Sequence, residues 1–515
     1  MKLLILSEEE NISMIRNSLR ASSLFYGIDN KVECFTEIID SFSPELFDVV
    51  VTDKYSFEFA ADFYRYSSDF SNLYLWIAGI IVPTADKELL DNELKKQYSM
   101  KNWQAVKEIN RIKMELNYIT RKEYLDSFPS QLQIESTSFC NAQCIMCNHY
   151  YGANYGSMDM NEKIIDKLEE LFPYIRTVIM HGNGEPFLSR MFERCADKYS
   201  QYGIKLTTNT NLSILNDSHI EIINRSFDNI RVSCDGCTKE IYEGIRENLS
   251  FEVFEENLTK LRDKCPDVQK IMVSVIMRQN IEQLPELVSF AANYGFDEIL
   301  FLDLSPNLLL DNEKDHVSRF RYLAAEQSRL ALAKGEKLGI KVTFPDTINI
   351  LFDDPVKCEE DRKKIHETPF FRTAEEKQII CKNAYSIIGG GYRFTENMNE
   401  CRWDDNNCPC SGICEWVVDK TYIDLKGDVF VCCINTSYRV GNIFEVSSFK
   451  EIWNSETYRS IRKIFYEGKL PAFCNNCQFI LNHSLEKLNV HQLDDTFFKR
   501  SQISRKYREH FENKI

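Results

Sequence analysis

No segment of this 515-residue chain is apolar for long enough to cross a bilayer. Its most apolar run, residues 73–82, falls far short of the roughly 20 residues that a spanning helix needs. Basic residues are in deficit as well: 62 Lys and Arg face 78 Asp and Glu, a formal net charge of −16. That balance argues against a nucleic-acid partner, because phosphate binding needs a basic surface. Lys and Arg are scattered, without the basic block that ties a protein to a membrane. The first residues turn acidic at Glu8 after a handful of apolar ones, too short and wrongly flanked for a signal peptide. Internal repeats and low-complexity tracts are also absent. These absences describe a cytoplasmic protein of roughly two to four domains.

What the chain does have is cysteine, 18 in all. In a reducing compartment, short-range cysteine clusters read as metal ligands rather than disulfides. Cys140, Cys144 and Cys147 are spaced C-x3-C-x2-C in Ser-Phe-Cys-Asn-Ala-Gln-Cys-Ile-Met-Cys, just after a β-like run. A four-iron cluster has four corners, and a structural one normally takes four cysteines. Three thiolates leave one iron open for a small molecule, which points to chemistry at that iron. A zinc site or a set of buried thiols would use the same residues.

Apolar patterning predicts the frame around this triple. Residues 2–6, 31–35, 47–52 and 73–82 read as strands with helices between them, a small open α/β domain over 1–100. Asp53, with Glu8 and Glu9, weakly resembles the acidic pocket of a receiver domain. A packing or partner-docking unit with an ordinary surface Asp is the plainer reading. Residues 101–130 look like a polar linker helix. Over 131–345 the rhythm is strand then helix, with strands at 132–135, 177–181, 205–208, 229–234, 271–277 and 298–302. Helical patterns lie between them, as at 161–171 and 284–294. Six parallel units make a partial (β/α)6 barrel with its chemistry at the C-terminal strand ends. A helix at 314–338 and a strand at 340–344 follow. Residues 346–410 read as an irregular, Cys-containing bridge or substrate cover, and 483–515 as a polar, partly helical tail.

The strand ends carry polar motifs. After the second strand comes His181-Gly182-Asn183-Gly184-Glu185-Pro186, where glycine lets the backbone approach a ligand and Glu185 offers an acceptor. The third strand ends at Asn209. In the fourth, Ser233 and Asp235 share a face while Cys234 points away, so two polar groups could hold a ribose and Cys234 reads as a small core residue. Arg246 follows, a planar fork able to pair with a carboxylate.

Taken in order, the C-x3-C-x2-C triple, Gly-Asn-Gly-Glu-Pro, Thr-Thr-Asn and Ser-Cys-Asp-Gly resemble the radical S-adenosylmethionine (radical SAM) superfamily over residues 131–305. The resemblance implies a 4Fe-4S cluster on Cys140, Cys144 and Cys147 whose open iron is chelated by SAM. One electron then cleaves SAM to methionine and a 5′-deoxyadenosyl radical, which takes hydrogen from substrate. It further implies SAM contacts from Gly184, Glu185 (to the ammonium), Asn209, Ser233 (to the ribose) and Arg246 (to the carboxylate). Residues 272–277 would line the adenine, and a flavodoxin or ferredoxin would supply the electron.

A second constellation lies at 411–482. Cys414, Cys432, Cys474 and Cys477 are enough for a closed cluster or, equally, a four-cysteine zinc site. Around Gly427 the sequence reads as a hairpin that places Cys432 on its second strand, and 449–466 reads as one helix. With Gly441-Asn442-Ile443 ahead of it, this α+β region resembles a SPASM/twitch extension. No cysteine follows Cys477, which brings the match closer to the one-cluster twitch form. Cys381, Cys401, Cys408, Cys410 and Cys433 are left over. The resemblance implies an oxidoreductase-type enzyme acting on a peptide, a protein side chain or a carbohydrate. The rival readings are an iron-sulfur electron-transfer or scaffold protein, and a zinc-stabilised binding protein.

Overall fold

Five short strands open the chain: β1 Leu3–Leu6, β2 Val32–Phe35, β3 Val49–Thr52, β4 Leu73–Ile77 and β5 Ile80–Pro83. They form one sheet in the order β2-β1-β3-β4-β5, parallel except for β5. The 73–82 run is therefore not one strand. Ile77 pairs with Ile80 in the antiparallel ladder. The structure, a computed structural model, describes the backbone of these strands together with residues 87–147, 158–304, 312–345, 348–373, 375–376, 414–433, 438–467, 471 and 474. Asp53, Glu8, Glu9, Cys381, Cys401, Cys408, Cys410, Cys477 and the 483–515 tail lie outside the described residues.

Helices Lys87–Ser99 and Trp103–Ile119 come next. The second is not the polar connector predicted over 101–130. It buries Val106, Ile109 and Ile112, and its Lys107 ammonium donates to the carbonyls of Tyr202 at 2.6 Å and Gly203 at 3.0 Å.

The central wall uses β6 Gln131–Ile134, β8 Thr177–Ile179, β9 Lys205–Thr207, β10 Asn209–Thr210, β11 Asn229–Ser233, β13 Gln269–Ile276, β14 Glu298–Asp303 and β15 Lys341–Thr343. Two two-residue strands, β7 Gln143–Cys144 and β12 Arg246–Glu247, pair separately. β6, β8 and β9 are parallel neighbours, as are β10, β11, β13, β14 and β15. Only Thr208 separates β9 from β10, and its carbonyl accepts from Arg231 N at 3.0 Å. The two sheets thus run on as one curved parallel wall, a partial barrel that β15 extends by a seventh strand. Alternation explains its faces. On β11, Ile230 and Val232 are fully buried, while Asn229, Arg231 and Ser233 are half-buried on the other side. The intervening helices are capped and amphipathic. Phe251–Lys264, for example, starts at Ser250 and buries Phe251, Phe254, Leu258 and Leu261, a helical spacing.

Part of the 346–410 bridge is regular. Helix Pro355–Ile365 is capped by Asp354, and its buried Asp361 accepts from Tyr322 N at 3.0 Å. Near the C-terminus, β16 Lys420–Ile423 joins the free edge of β6 in parallel, and β17 Asp428–Phe430 and β18 Arg439–Asn442 follow antiparallel. The predicted hairpin is present. Gly427 sits at φ +79° while Asp424 Oδ1 accepts from Lys426 N and Asp428 N. Cys432 lies just past the second strand rather than on it.

The predicted helix 449–466 is two helices, Phe449–Trp453 and Glu456–Tyr466. Ser455 caps the second, and Asn454 at the break bonds the backbone of Leu125 through both ends of its amide. No helix among the described residues is long and apolar enough to cross a membrane.

Candidate active site

The cysteine triple follows β6 and is fixed from three sides. Cys144 lies on β7, whose partner in the antiparallel ladder is β12, so that Cys144 faces Arg246 across the pair. Ile145 N donates to Ile245 O at 3.0 Å, and Cys147 N donates back to Cys144 O at 3.0 Å. Asn141, next to Cys140, accepts from Asn211 Nδ2 at 3.1 Å and donates to Ser213 Oγ at 2.9 Å. From the third side comes the loop after β8. Glu185 N donates to Phe139 O at 2.7 Å, and a side chain at Gly184 would run into the carbonyl oxygens of Thr137 and Phe139. Glycine is required there because two backbones touch.

Glu185 is 3% exposed, and its carboxylate is occupied by the protein itself. It accepts from Thr210 Oγ1 at 2.6 Å, Asn211 N at 2.7 Å and Phe187 N at 3.2 Å. A carboxylate has about four acceptor positions, so little remains for an ammonium group. Geometrically Glu185 ties the second strand end to the third.

Arg246 is buried and lies 2.7 Å from the Asp235 carboxylate. Its Nη1 faces the Cys144 sulfur at 3.7 Å, while its Nε has no partner. Burial opposes its charge, but Asp235 outweighs that and holds it protonated. The Ser233/Asp235 pair is therefore divided. Ser233 stays half-buried at the end of β11, whereas Asp235 turns to Arg246 and accepts from Val275 N at 2.7 Å. Cys234 is a fully buried core residue. Asn209 pairs with Arg231 across β10 and β11, and its Oδ1 is buried without a partner.

These residues converge. Glu185 and Arg246 both act electrostatically on Cys140, and Arg246 acts on Glu185. Burial pushes the Cys140 thiol up to about 11 and Cys144 up to about 12, so both keep their protons at neutral pH until a metal displaces them. Among the described residues no three His, Cys, Asp or Glu side chains gather to hold one metal ion. A four-iron cube would take one thiolate from each of the three cysteines at its own corner. The glycine cradle at 184 and the unpartnered Arg246 Nε fit an anionic, close-lying ligand beside it.

Of the C-terminal set, Cys414 is half-buried ahead of a short turn, Cys432 follows β17 near enough to act on Tyr458, and Cys474 is buried.

Sequence reasoning missed the β7–β12 ladder and the clamp at Arg278. Buried Arg278 meets Asp315 at 2.8 Å and donates to the carbonyls of Ile365, Thr368 and Pro369 at 2.7–2.9 Å. It thereby holds residues 365–371 beside a cavity of about 270 Å³ lined by Ile145, Met146, Met277, Leu304, Phe370 and Phe371. Ile145 and Met146 belong to the cysteine loop itself. An arginine directly after a predicted strand was the available signal.

Comparison with known proteins agrees with this geometry. Residues 134–291 match the family model of the radical SAM superfamily, and residues 414–478 match an iron-sulfur cluster-binding domain, SPASM. The tungsten-containing aldehyde ferredoxin oxidoreductase cofactor-modifying protein of Pyrococcus furiosus is 26% identical over 356 residues, 67% of this chain and 86% of that protein. Mycofactocin maturase MftC of Mycolicibacterium smegmatis is 28% identical over 359 residues, covering 68% and 75%. Among solved structures, Streptococcus suis SuiB aligns with a TM-score of 0.46 at 16% identity, over 75% of this chain and 81% of that one.

Proposed function

This chain is a radical SAM enzyme with a SPASM iron-sulfur domain, using 4Fe-4S clusters and SAM, and we propose that it carries out a redox modification of a peptide, protein side chain or carbohydrate. The observation that carries the reading is the loop of Cys140, Cys144 and Cys147, locked between Arg246 and the Gly184–Glu185 turn at the C-terminal strand ends. Bound there, a cluster would supply the electron for reductive cleavage of SAM and so the means of taking hydrogen from substrate.

The chain's own residues hold the parts. Cys140, Cys144 and Cys147 give three thiolates, and the Gly184 backbone allows close approach. Arg246 presents its free Nε to the SAM carboxylate, Ser233 offers a hydrogen bond to the nucleoside side, and Glu185 fixes the turn that meets the ammonium. Cys414, Cys432, Cys474 and Cys477 would supply four thiolates to a second cluster, which would offer an electron acceptor near the substrate. A flavodoxin or ferredoxin is the electron donor, and residues 1–100 are a docking or packing unit.

Anaerobic purification tests this. A brown protein with about eight irons per chain, four for each cluster, is expected. With dithionite and SAM it should release 5′-deoxyadenosine, and the Cys140→Ala, Cys144→Ala, Cys147→Ala triple variant should not. Colourless protein carrying zinc would refute the reading.

A further inference from the structure

The strand registers align one polar layer across the inner wall. Ile423 pairs with Ile134, Gln133 with Ile179, Ile179 with Thr207, and Asn209 with Arg231. Carried on one residue from the first pair and two from the second and third, and read directly from the fourth, these registers make Asp424, Glu135, His181, Asn209 and Arg231 lateral neighbours on five successive parallel strands. They share the inward parity of their strands. Asp424, Glu135 and His181 lie just past the C-terminal ends of their strands, Asn209 opens β10 with one residue between it and β9, and Arg231 is in mid-β11.

Four of the five carry a buried atom without a hydrogen-bond partner: Glu135 Oε2, His181 Nδ1, Asn209 Oδ1 and Arg231 Nε. Glu135 is 0% exposed and Asp424 3%. Each such atom is destabilising when left unpaired, and native proteins leave few of them. Four in adjacent positions of one layer therefore point to a ligand that pairs them. The layer is dipolar. At one end Asp424 and Glu135 repel each other's charge. At the other the Arg231 guanidinium is close enough to act on His181. Between them lie a neutral imidazole and an amide.

We propose that this layer recognises a short peptide segment of the substrate. A basic side chain would sit at Glu135 and Asp424, backbone amides at His181 and Asn209, and an acidic side chain at Arg231. The assignment rests on the radical SAM reading of the same barrel. Three inter-strand steps of about 4.8 Å place Glu135 and Arg231 about 14 Å apart along the wall. Both side chains reach inward, which leaves a span of two to four extended residues at about 3.3 Å each. A carbohydrate would satisfy the amide and the imidazole but leave the buried charges at both ends unpaired, the costlier state.

The test uses the full-length, cluster-loaded enzyme and calorimetric titration under anaerobic conditions. The probes are acetyl-Lys-Gly-Gly-Glu-amide, acetyl-Lys-Gly-Gly-Gln-amide, acetyl-Gln-Gly-Gly-Glu-amide, acetyl-Gln-Gly-Gly-Gln-amide and sorbitol. The doubly charged peptide should bind at least tenfold tighter than the neutral one. Arg231→Met should erase the preference for Glu while keeping that for Lys, and Glu135→Gln should do the reverse. A misfolded variant would lose both together, so the crossed pattern is diagnostic. Equal binding of charged and neutral peptides, tighter binding of sorbitol, no binding of any probe, or unchanged preferences in both variants would overturn the assignment. Should the wild type release 5′-deoxyadenosine and still lack the charge preference, the layer assignment fails alone. Absence of 5′-deoxyadenosine instead removes the radical SAM reading, whatever the peptides do.

Discussion

Arg246 closes on Asp235 at 2.7 Å with both side chains withdrawn from water, and the same guanidinium faces the Cys144 sulfur. Removing one partner of a buried pair strands the other charge and costs about 3–5 kcal/mol. Arg246→Met should therefore lower the unfolding free energy of the cluster-free protein by that order in urea titrations. The double variant Arg246→Met, Asp235→Asn should recover part of the loss. A single variant as stable as wild type would show the pair to be inconsequential for folding.

Glu185→Gln separates a structural carboxylate from a ligand-binding one. Three protein donors converge on Glu185, so an amide group must turn its NH2 toward at least one of them, costing about 1–3 kcal/mol. The expected outcome is a lower melting temperature with SAM affinity, measured by calorimetry, reduced less than tenfold. A loss of several hundredfold with unchanged stability would mean that the carboxylate itself holds SAM.

Gly184→Ala adds a methyl group where the Thr137 and Phe139 carbonyl oxygens already sit. Backbone cannot swing aside as a flexible side chain can, so overpacking of about 1–3 kcal/mol is expected. Release of 5′-deoxyadenosine should fall at least tenfold while iron content stays near that of wild type. Undiminished release would show that the turn is free to shift.

Acid should weaken the fold partly through His316. Burial, helped by Arg319, lowers its pKa to about 4, and its Nδ1 accepts from Ser318 N at 3.1 Å. Between about pH 6.5 and 4 the unfolded chain binds a proton that the folded one refuses, so stability falls as pH falls through that window. The full effect is about 3 kcal/mol at 1.36 kcal/mol per unit. His316→Asn keeps an acceptor for the cap without titrating. Its melting temperature should decline less steeply from pH 6.5 to 5, as followed by scanning calorimetry; parallel curves would remove His316 as a cause.

Asn454→Ala deletes two hydrogen bonds to Leu125. A loss of about 1–3 kcal/mol is expected, with faster amide exchange in both flanking helices. Exchange unchanged there would show that the break is held by other contacts.

The parallel wall was legible where apolar residues cluster or alternate between polar bounds, as in β8, β11, β13 and β14. The cysteine triple was legible because its three members are close in sequence. What escaped depended on distant partners. β7 and β12 are two residues long and 102 positions apart, so no periodicity announces them. Asp235 was read as a free polar group because nothing local shows that Arg246 comes to meet it. The apolar pattern of 449–466 persists across the break, which Leu125 stabilises from outside the segment. Glu135 ended a predicted strand, yet its neighbours Asp424 and His181 become visible only once the register is known.

The pairing of β16 with β6 orders events during synthesis. Gln131 meets Lys420, so the edge of the first barrel strand stays bare until some 290 further residues have left the ribosome, a separation matched by the 289 positions between Ser130 and Asp419. A bare parallel edge invites the wrong strand, and contacts so distant form slowly. A nascent chain that stalls before residue 420 would carry the cysteine triple on a barrel still open to foreign strands. Such a product would depend on chaperones, whatever the fate of its iron.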